Sequence, residues 1–170
     1  MAEDAVELYW PAGFQYPRAW LSQMYQESLC DPQAVSPAGA AGIAQFMPAT
    51  WSDMETRFGL DANPHSDLAV EWGAYYQARM MAVWAGRPRP ALERWHLGLA
   101  SYNAGAGNII AAQAECDGAR DWQDIRPCLP EVTGRHAAET RTYVERTRRW
   151  TCEMTSSRLD RPNGLECSPR

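Results

Sequence analysis

The chain has 170 residues, of which 45% are hydrophobic, 11% are aromatic and 22% are charged, with a formal net charge of −5. This length and apolar fraction are typical of one globular domain, and they exclude a disordered, collagen-like or low-complexity chain. No apolar run approaches the roughly 18–20 residues of a membrane-spanning helix, so we expect no stable membrane insertion. The acidic balance also argues against nonspecific binding of nucleic acid, which needs a basic surface.

The amino terminus contains no recognisable targeting signal. Residues 1–11 lack the basic stretch and the following apolar stretch of a signal peptide. We therefore expect either a route of export without such a signal or a targeting segment that has been removed.

Helical periodicity dominates the chain from Pro17 onward, and alternating runs of β-branched residues are absent. Prolines suit the first turns of helices, and glycines suit the positions just after their ends. A loop rich in glycine and proline covers residues 36–42. The predicted helices are 17–28, one from Pro48 to just before Gly59, one capped by Ser66 and closed before Gly86, about 90–103, one after Gly107, and about 135–154.

The five cysteines are dispersed and form no CxxC pair, which argues against a structural zinc site. Four of them can form two disulfides, which would indicate an oxidising compartment. Cys116 and Cys128 are the first candidate pair, because a short segment with Asp, Gly and Pro separates them, and five buried thiols are the alternative. Cys30 lies three residues from Glu27, and we hypothesise that it gives redox control of that site. The full set is Cys30, Cys116, Cys128, Cys152 and Cys167.

Glu27 is the first candidate for catalysis. It follows Met24 by three residues and Trp20 by seven, so it shares their apolar helix face. A carboxyl group among aromatic side chains is disfavoured as an anion, and its pKa rises. A raised pKa lets a carboxylic acid protonate a leaving group near neutral pH. A solvated glutamate at a helix end is the alternative, and Glu27 alone does not separate the two.

Three sequence blocks, in order, resemble the signature of the soluble lytic transglycosylases. These enzymes belong to the lysozyme-like superfamily, together with goose-type lysozyme. Two departures occur, at Ile43-Ala44 and at Ser101, and neither removes a charge or a proton donor. The blocks are Glu27-Ser28 and Asp31-Pro32 with residues 36–51 (SPAGAAGIAQFMPATW), residues 99–105 (LASYNAG) and residues 139–144 (ETRTYV).

The resemblance implies a mostly α, lysozyme-like single helical domain with a groove for glycan strands. It implies cleavage of the β-1,4 bond between N-acetylmuramic acid and N-acetylglucosamine in peptidoglycan, with no cofactor and no metal. The catalytic domain would cover 17–154, after a lead segment at 1–16 and before a tail at 155–170. Glu27 would be the single acid and base, and the substrate-binding residues would be Ser36, Gln45, Met47, Tyr102, Asn103 and Glu139.

Several of these assignments have plainer alternatives. Ser36 can serve only to form a turn before Pro37, and Met47 can be a core residue. Tyr143 of the third block is assigned to packing rather than to catalysis. Glu139 is assigned as a support or substrate contact.

Glycoside cleavage usually employs two carboxylates, but none of the three blocks supplies an aspartate partner for Glu27. The family mechanism uses the C6 hydroxyl of the substrate as the nucleophile and leaves a 1,6-anhydromuramyl end. The first alternative is a goose-type hydrolase in which Asp53, Asp61 or Asp67 places a water. The second is a noncatalytic glycan-binding module or a structural module of a virion.

The biological setting is inferred by analogy. We expect a monomer that acts on the wall or in the periplasm of a bacterial host, with phage lysis favoured over bacterial wall remodelling. The three histidines are far apart and form no HExxH motif, so a zinc hydrolase has no support. Four arginines near the carboxyl terminus indicate a solvated face or a contact with the acidic wall, and they are Arg141, Arg146, Arg148 and Arg149.

Overall fold

The computed structural model describes residues 1–155, 157 and 160–167. Within these residues the chain is helical and contains no strand, and no helix combines the length and the apolar character needed to cross a membrane. Short 3₁₀ turns at Arg126–Cys128 and Gly134–His136 flank α8. The α-helices are α1 (Ala2–Tyr9), α2 (Pro17–Ser28), α3 (Pro48–Phe58), α4 (Leu68–Val83), α5 (Ala91–Ala104), α6 (Ala106–Glu115), α7 (Trp122–Ile125), α8 (Leu129–Thr133) and α9 (Ala137–Met154).

The lead segment contains a helix, α1, that the sequence pattern does not predict. Ala5 and Val6 of α1 are buried, and the helix lies against α4. The indole of Trp10 donates a hydrogen bond to the carbonyl of Ala74 at 3.0 Å. An eight-residue helix is too short to be stable alone, so its stability comes from this packing, which a local pattern does not show.

The predicted cap at Ser66 is wrong. Helix α4 begins at Leu68, with Asp67 in the capping position. The Ser66 hydroxyl donates to the carbonyl of Asn63 at 2.6 Å and so closes the turn before the helix. The short helices α7 and α8 were also not predicted, because four or five residues cannot show a helical period.

Helix α2 lies against both α4 and α9. Trp20 is fully buried, and its indole donates to the carbonyl of Val70 at 3.1 Å. A Cβ atom at Gly73 would lie 2.6 Å from the Trp20 ring, so only glycine permits this approach of α2 to α4.

Polar and aromatic contacts join α2 to α9. The hydroxyls of Ser22 and Thr151 are 2.5 Å apart in the core. The Trp150 indole donates to Gln26 at 3.3 Å, and its ring meets Tyr25 edge to face at 5.0 Å. These contacts hold α2, from Ser22 to Gln26, against the carboxyl-terminal part of α9.

Two disulfides are present. Cys116–Cys128 confirms the predicted pair, and Cys152–Cys167 fastens the tail to α9. Leu165 and Pro162 of the tail are buried, whereas residues 156, 158, 159 and 168–170 of the predicted tail lie outside the described residues. The alternative of five thiols is therefore wrong, and Cys30 is the free cysteine of the described chain.

Candidate active site

The last turn of α2 places Glu27 at the edge of the domain. The helix ends because Leu29 and Cys30 both adopt positive φ angles, of 57° and 62°. The Tyr143 hydroxyl on α9 donates a hydrogen bond to Oε1 of Glu27. The residue as a whole is partly exposed, and Glu27 lines the adjacent cleft, so a group in the cleft can approach it.

Burial dominates the electrostatics of this carboxyl and raises the pKa of Glu27 to about 8. The hydrogen bond from Tyr143 lowers that pKa, and the nearby charge of Glu139 raises it. Glu27 is therefore predominantly a neutral acid at pH 7. Because Oε1 accepts the bond from Tyr143, the acidic proton belongs on Oε2.

A cleft of about 410 Å³ opens beside this carboxyl. It brings together three of the seven predicted site residues, Glu27, Asn103 and Glu139. Glu139 is exposed, and its Oε2 lies 3.7 Å from Nδ1 of His136. The lining residues are Gln26, Glu27, Asn103, Ala138, Glu139, Thr142, Tyr143 and Arg146.

Tyr102 is half-buried behind the cleft rather than among its lining residues. Its hydroxyl donates to the carbonyl of Ala44 at 2.8 Å, and its ring meets Tyr76 edge to face at 5.2 Å. Burial raises the pKa of Tyr102 well above its ordinary value, and the charge of Glu27 adds to that effect. Tyr102 therefore connects α5 to the loop that precedes α3.

The other predicted site residues lie in or next to this loop. Gln45 donates to the carbonyl of Gly42 at 2.9 Å and to that of Ala34 at 3.3 Å. The Ser36 hydroxyl accepts from the Ala40 amide at 3.0 Å, which is the turn role considered as its alternative. Met47 is 45% exposed, so it is not a core residue.

The loop is attached directly to the helix that carries the acid. The hydroxyl of Ser28, next to Glu27, donates to the carbonyl of Ile43 at 2.9 Å. Gly42 has a φ of +77°, and a Cβ atom there would lie 1.8 Å from the carbonyl oxygen of Pro64. The loop conformation thus depends on a glycine at this position.

The hydrogen-bonding partners of Glu27 are not predicted by the sequence pattern. Tyr143 is buried as predicted, but it also bonds the acid. Burial raises the pKa of Tyr143 well above its ordinary value, while a hydrogen bond from Gln23 opposes that effect. Gln23 and Gln77 are both fully buried, and their amides are 3.3 Å apart. The available signal was the position of Gln23 on the apolar face shared by Trp20 and Glu27.

The aspartates considered for a hydrolase lie elsewhere. Asp67 lines a separate groove beside the amino terminus. The negative charge of the exposed Asp53 raises the pKa of Tyr76, and Asp53 is not among the groups that shift the pKa of Glu27. None of the described residues that line the Glu27 cleft is an aspartate. Across residues 1–155, 157 and 160–167, no cluster of three His, Cys, Asp or Glu side chains is placed to hold a metal ion.

Comparison with known proteins identifies the family. A family model described as the transglycosylase SLT domain matches residues 17–125, which is more than half of the chain. A relative from Alcanivorax borkumensis, membrane-bound lytic murein transglycosylase F, is 32% identical over 124 residues, covering 70% of this chain and 25% of the relative. The chain thus spans about a quarter of that relative's length.

Solved structures agree on the fold. An inactive mutant of the lytic transglycosylase Slt from Pseudomonas aeruginosa superposes with a TM-score of 0.68 and 22% identity, over 88% of this chain and 23% of that one. The 70 kDa soluble lytic transglycosylase of Escherichia coli superposes with a TM-score of 0.65 and 23% identity. This match covers 87% of this chain and 23% of that one. The predicted mostly α, lysozyme-like fold is confirmed, and the chain belongs to the transglycosylase SLT domain family.

Proposed function

We propose that this member of the transglycosylase SLT domain family is a peptidoglycan lytic transglycosylase. It cleaves the β-1,4 bond between N-acetylmuramic acid and N-acetylglucosamine and leaves 1,6-anhydromuramyl ends. The proposal depends on the environment of Glu27. Burial raises the pKa of its carboxyl to about 8, Tyr143 donates a hydrogen bond to it, and both residues line the same cleft. The family match supports the same activity.

The chemistry begins with the neutral acid. Glu27 gives its proton to the bridging oxygen, and the glycosidic bond breaks with its electron pair on that oxygen. The N-acetyl oxygen of the muramyl residue stabilises the positive charge at C1. The hydrogen bond from Tyr143 stabilises the carboxylate that forms on Glu27.

The second step restores the acid. The carboxylate of Glu27 takes the proton of the C6 hydroxyl as that oxygen bonds to C1. No water is consumed, and Glu27 is neutral again. Intramolecular attack by a held hydroxyl has a large effective concentration, so one carboxylate suffices.

We assign the remaining predicted residues to binding the glycan. Asn103 and Glu139 line the cleft and can contact substrate directly. Tyr102, Gln45 and Ser36 maintain the adjoining loop through their hydrogen bonds. Met47 is exposed at the end of that loop and offers an apolar contact.

One observation favours a second candidate, a hydrolase of the goose-lysozyme type. Glu139 is a carboxylate in the same cleft as Glu27, and two carboxylates with a water between them can hydrolyse a glycoside. In this candidate Glu139, and none of the three aspartates, would place the water.

Product analysis separates the two candidates and the noncatalytic module. Purified peptidoglycan is digested by the parent protein, Glu27→Gln and Glu139→Gln, and the released muropeptides are analysed by mass spectrometry. We expect muramyl ends that are lighter than reducing ends by one water, released by the parent and not by Glu27→Gln. Reducing ends that vanish in Glu139→Gln would establish the hydrolase, and no release by the folded parent would indicate a binding module.

We propose the bacterial cell wall as the place of action and a monomer as the active form. The A. borkumensis relative is a membrane-bound murein transglycosylase, which supports the wall as the target. Within that setting we propose lysis during phage infection as the role. Directing the protein to the periplasm of a Gram-negative host should lyse the culture, and lysis should be absent with Glu27→Gln. A culture that continues to grow with the active protein in its periplasm would argue for wall remodelling instead.

A further inference from the structure

The arginines near the carboxyl terminus do not form one surface. Arg141 donates to the carbonyls of Arg126 and Pro127, at 2.9 and 3.2 Å, and so fixes the turn before α8. Arg149 pairs with Glu153 at 3.6 Å and lies over the Trp150 ring.

The two remaining arginines face different surroundings. Arg148 is half-buried, and its positive charge lowers the pKa values of Glu93 and His96. Arg146 is exposed and lines the cleft that contains Glu27. Within the part of the chain that the structure describes, Arg146 has no hydrogen bond or ion pair.

Helix geometry orders the charges along the cleft. Glu139, Tyr143 and Arg146 follow one another at steps of four and three residues, so they occupy one face of α9. Tyr143 holds the acid at the centre. Glu139 then lies about 6 Å to one side along the helix axis, and Arg146 lies about 4.5 Å to the other. The cleft therefore has an acidic end, a neutral acid at its centre and a basic end.

A free guanidinium at the basic end selects an anionic group on the substrate. Arginine presents paired donors that match a carboxylate and give charge-assisted hydrogen bonds. Within peptidoglycan, the amino sugars are neutral, and the stem peptide on the muramyl lactyl group carries free carboxylates. We propose that Arg146 binds a carboxylate of the stem peptide and gives this enzyme a preference for peptide-bearing strands. This inference rests on the proposed function, because it assigns the substrate of the same cleft.

Kinetics on two substrates tests the assignment. Arg146→Gln should raise KM for peptide-bearing strands about 3- to 10-fold and leave kcat within about twofold, since the lost contact is equal in the ground and transition states. Arg146→Lys should restore part of the affinity, and added salt should reduce the difference from the parent. Arg149→Gln is the matched control, because it removes the same charge from the same helix outside the cleft.

Strands stripped of peptides by an amidase identify the source of the carboxylate, because they carry only the lactyl carboxylate. Equal KM values of parent and Arg146→Gln on these strands would support the peptide as the source. An equal rise in KM on both substrates would assign Arg146 to a part of the sugar chain that both substrates share and overturn the proposal, as would unchanged kinetics on peptide-bearing strands.

A binding assay keeps this test separate from the activity. In the Glu27→Gln background, calorimetry with a soluble peptide-bearing muropeptide should show weaker binding when Arg146→Gln is added. Parent protein that binds but releases no product would contradict the proposed function alone. Active parent protein whose affinity is unchanged by Arg146→Gln would contradict the Arg146 assignment alone.

Discussion

At the scale of single residues, the behaviour of Glu27 is decided by two opposing effects. Burial favours the neutral acid, while the Tyr143 hydroxyl stabilises the carboxylate. Burial is the larger effect, and the resulting pKa of about 8 leaves the group protonated at neutral pH yet able to ionise during the reaction. Tyr143 is thus a partner of the acid as well as a buried aromatic residue.

Tyr143→Phe should change the pH dependence of activity. The active form of Glu27 is protonated, so the alkaline limb of kcat/KM for the parent should lie near pH 8. Removing a hydrogen bond that stabilises the carboxylate should move this limb upward by about one to two pH units. The rate should fall at all pH values, because the carboxylate formed in the first step loses its donor. A limb that stays in place would show that Tyr143 does not bond Glu27 in solution.

Glu27→Gln should alter stability in a pH-dependent way. The folded pKa is about 8, above the ordinary value of 4.5, so the native state retains this proton more strongly than the unfolded chain. That stabilisation is complete below pH 4.5 and is lost as the pH rises through 8. Urea titrations should therefore show that the unfolding free energy of the variant increases relative to that of the parent as the pH rises from 4.5 to about 8. Below and above this range, the difference between the two proteins should be constant. The exposed Glu131→Gln is a charge-matched control, and a difference independent of pH would contradict the account.

At the scale of elements, the site depends on two attachments. Helix α9 supplies Tyr143 because it packs along α2 through contacts such as Ser22 to Thr151. The loop from Ala34 to Met47 is fastened to the end of α2 by Ser28 and to α5 by Tyr102. The acid and the loop are therefore held by the same helix end.

Gly42→Ala tests the attachment of the loop. The new methyl group would meet the Pro64 carbonyl in a backbone conformation that already disfavours side chains. Strain and overpacking together should cost about 3 kcal/mol or more of unfolding free energy and should abolish most activity. Gly39→Ala is the control, since Gly39 has a φ of +85° with nothing within 4 Å, and it should cost only about 1 kcal/mol. Equal losses in the two variants would remove the role given to the Pro64 contact.

The sequence predicted the parts of the site that local pattern determines. Helix periodicity placed Glu27 on a buried face beside Trp20, and motif order gave the lysozyme-like fold. It did not predict that Tyr143, 116 positions away, bonds Glu27, because this contact depends on the packing of α9 on α2. It also grouped four arginines between Arg141 and Arg149 that the structure separates, because residues at these spacings point in different directions around a helix.

At the scale of the whole molecule, the tail contributes to the domain. Cys167 is joined to Cys152 on α9, and Leu165 is buried in the core cluster. The helix α1 covers α4 at the opposite end of the sequence. Helix α1 and the tail thus both pack on the helical core, although both lie outside residues 17–125, which the family model matches.

Cys152→Ser with Cys167→Ser should lower the unfolding free energy by about 3 kcal/mol, because the disulfide closes a loop with a sequence separation of 15. Chemical denaturation monitored by tryptophan fluorescence measures the loss. Cys30→Ser, which alters the free cysteine, should leave the midpoint nearly unchanged. Burial raises the pKa of the Cys30 thiol and so reduces its reactive form. No loss in the double variant would mean that the tail is not part of the cooperative fold.

Digestion in water labelled with heavy oxygen shows whether the proposed cleavage by Glu27 proceeds without a water nucleophile. The released muropeptides are reduced immediately and analysed by mass spectrometry, with Glu27→Gln as the inactive control. We expect anhydro ends without the heavy isotope, because the oxygen bonded to C1 comes from the substrate's own C6 hydroxyl. One heavy oxygen at each new muramyl end would show that water attacks C1, and the enzyme would then be a hydrolase.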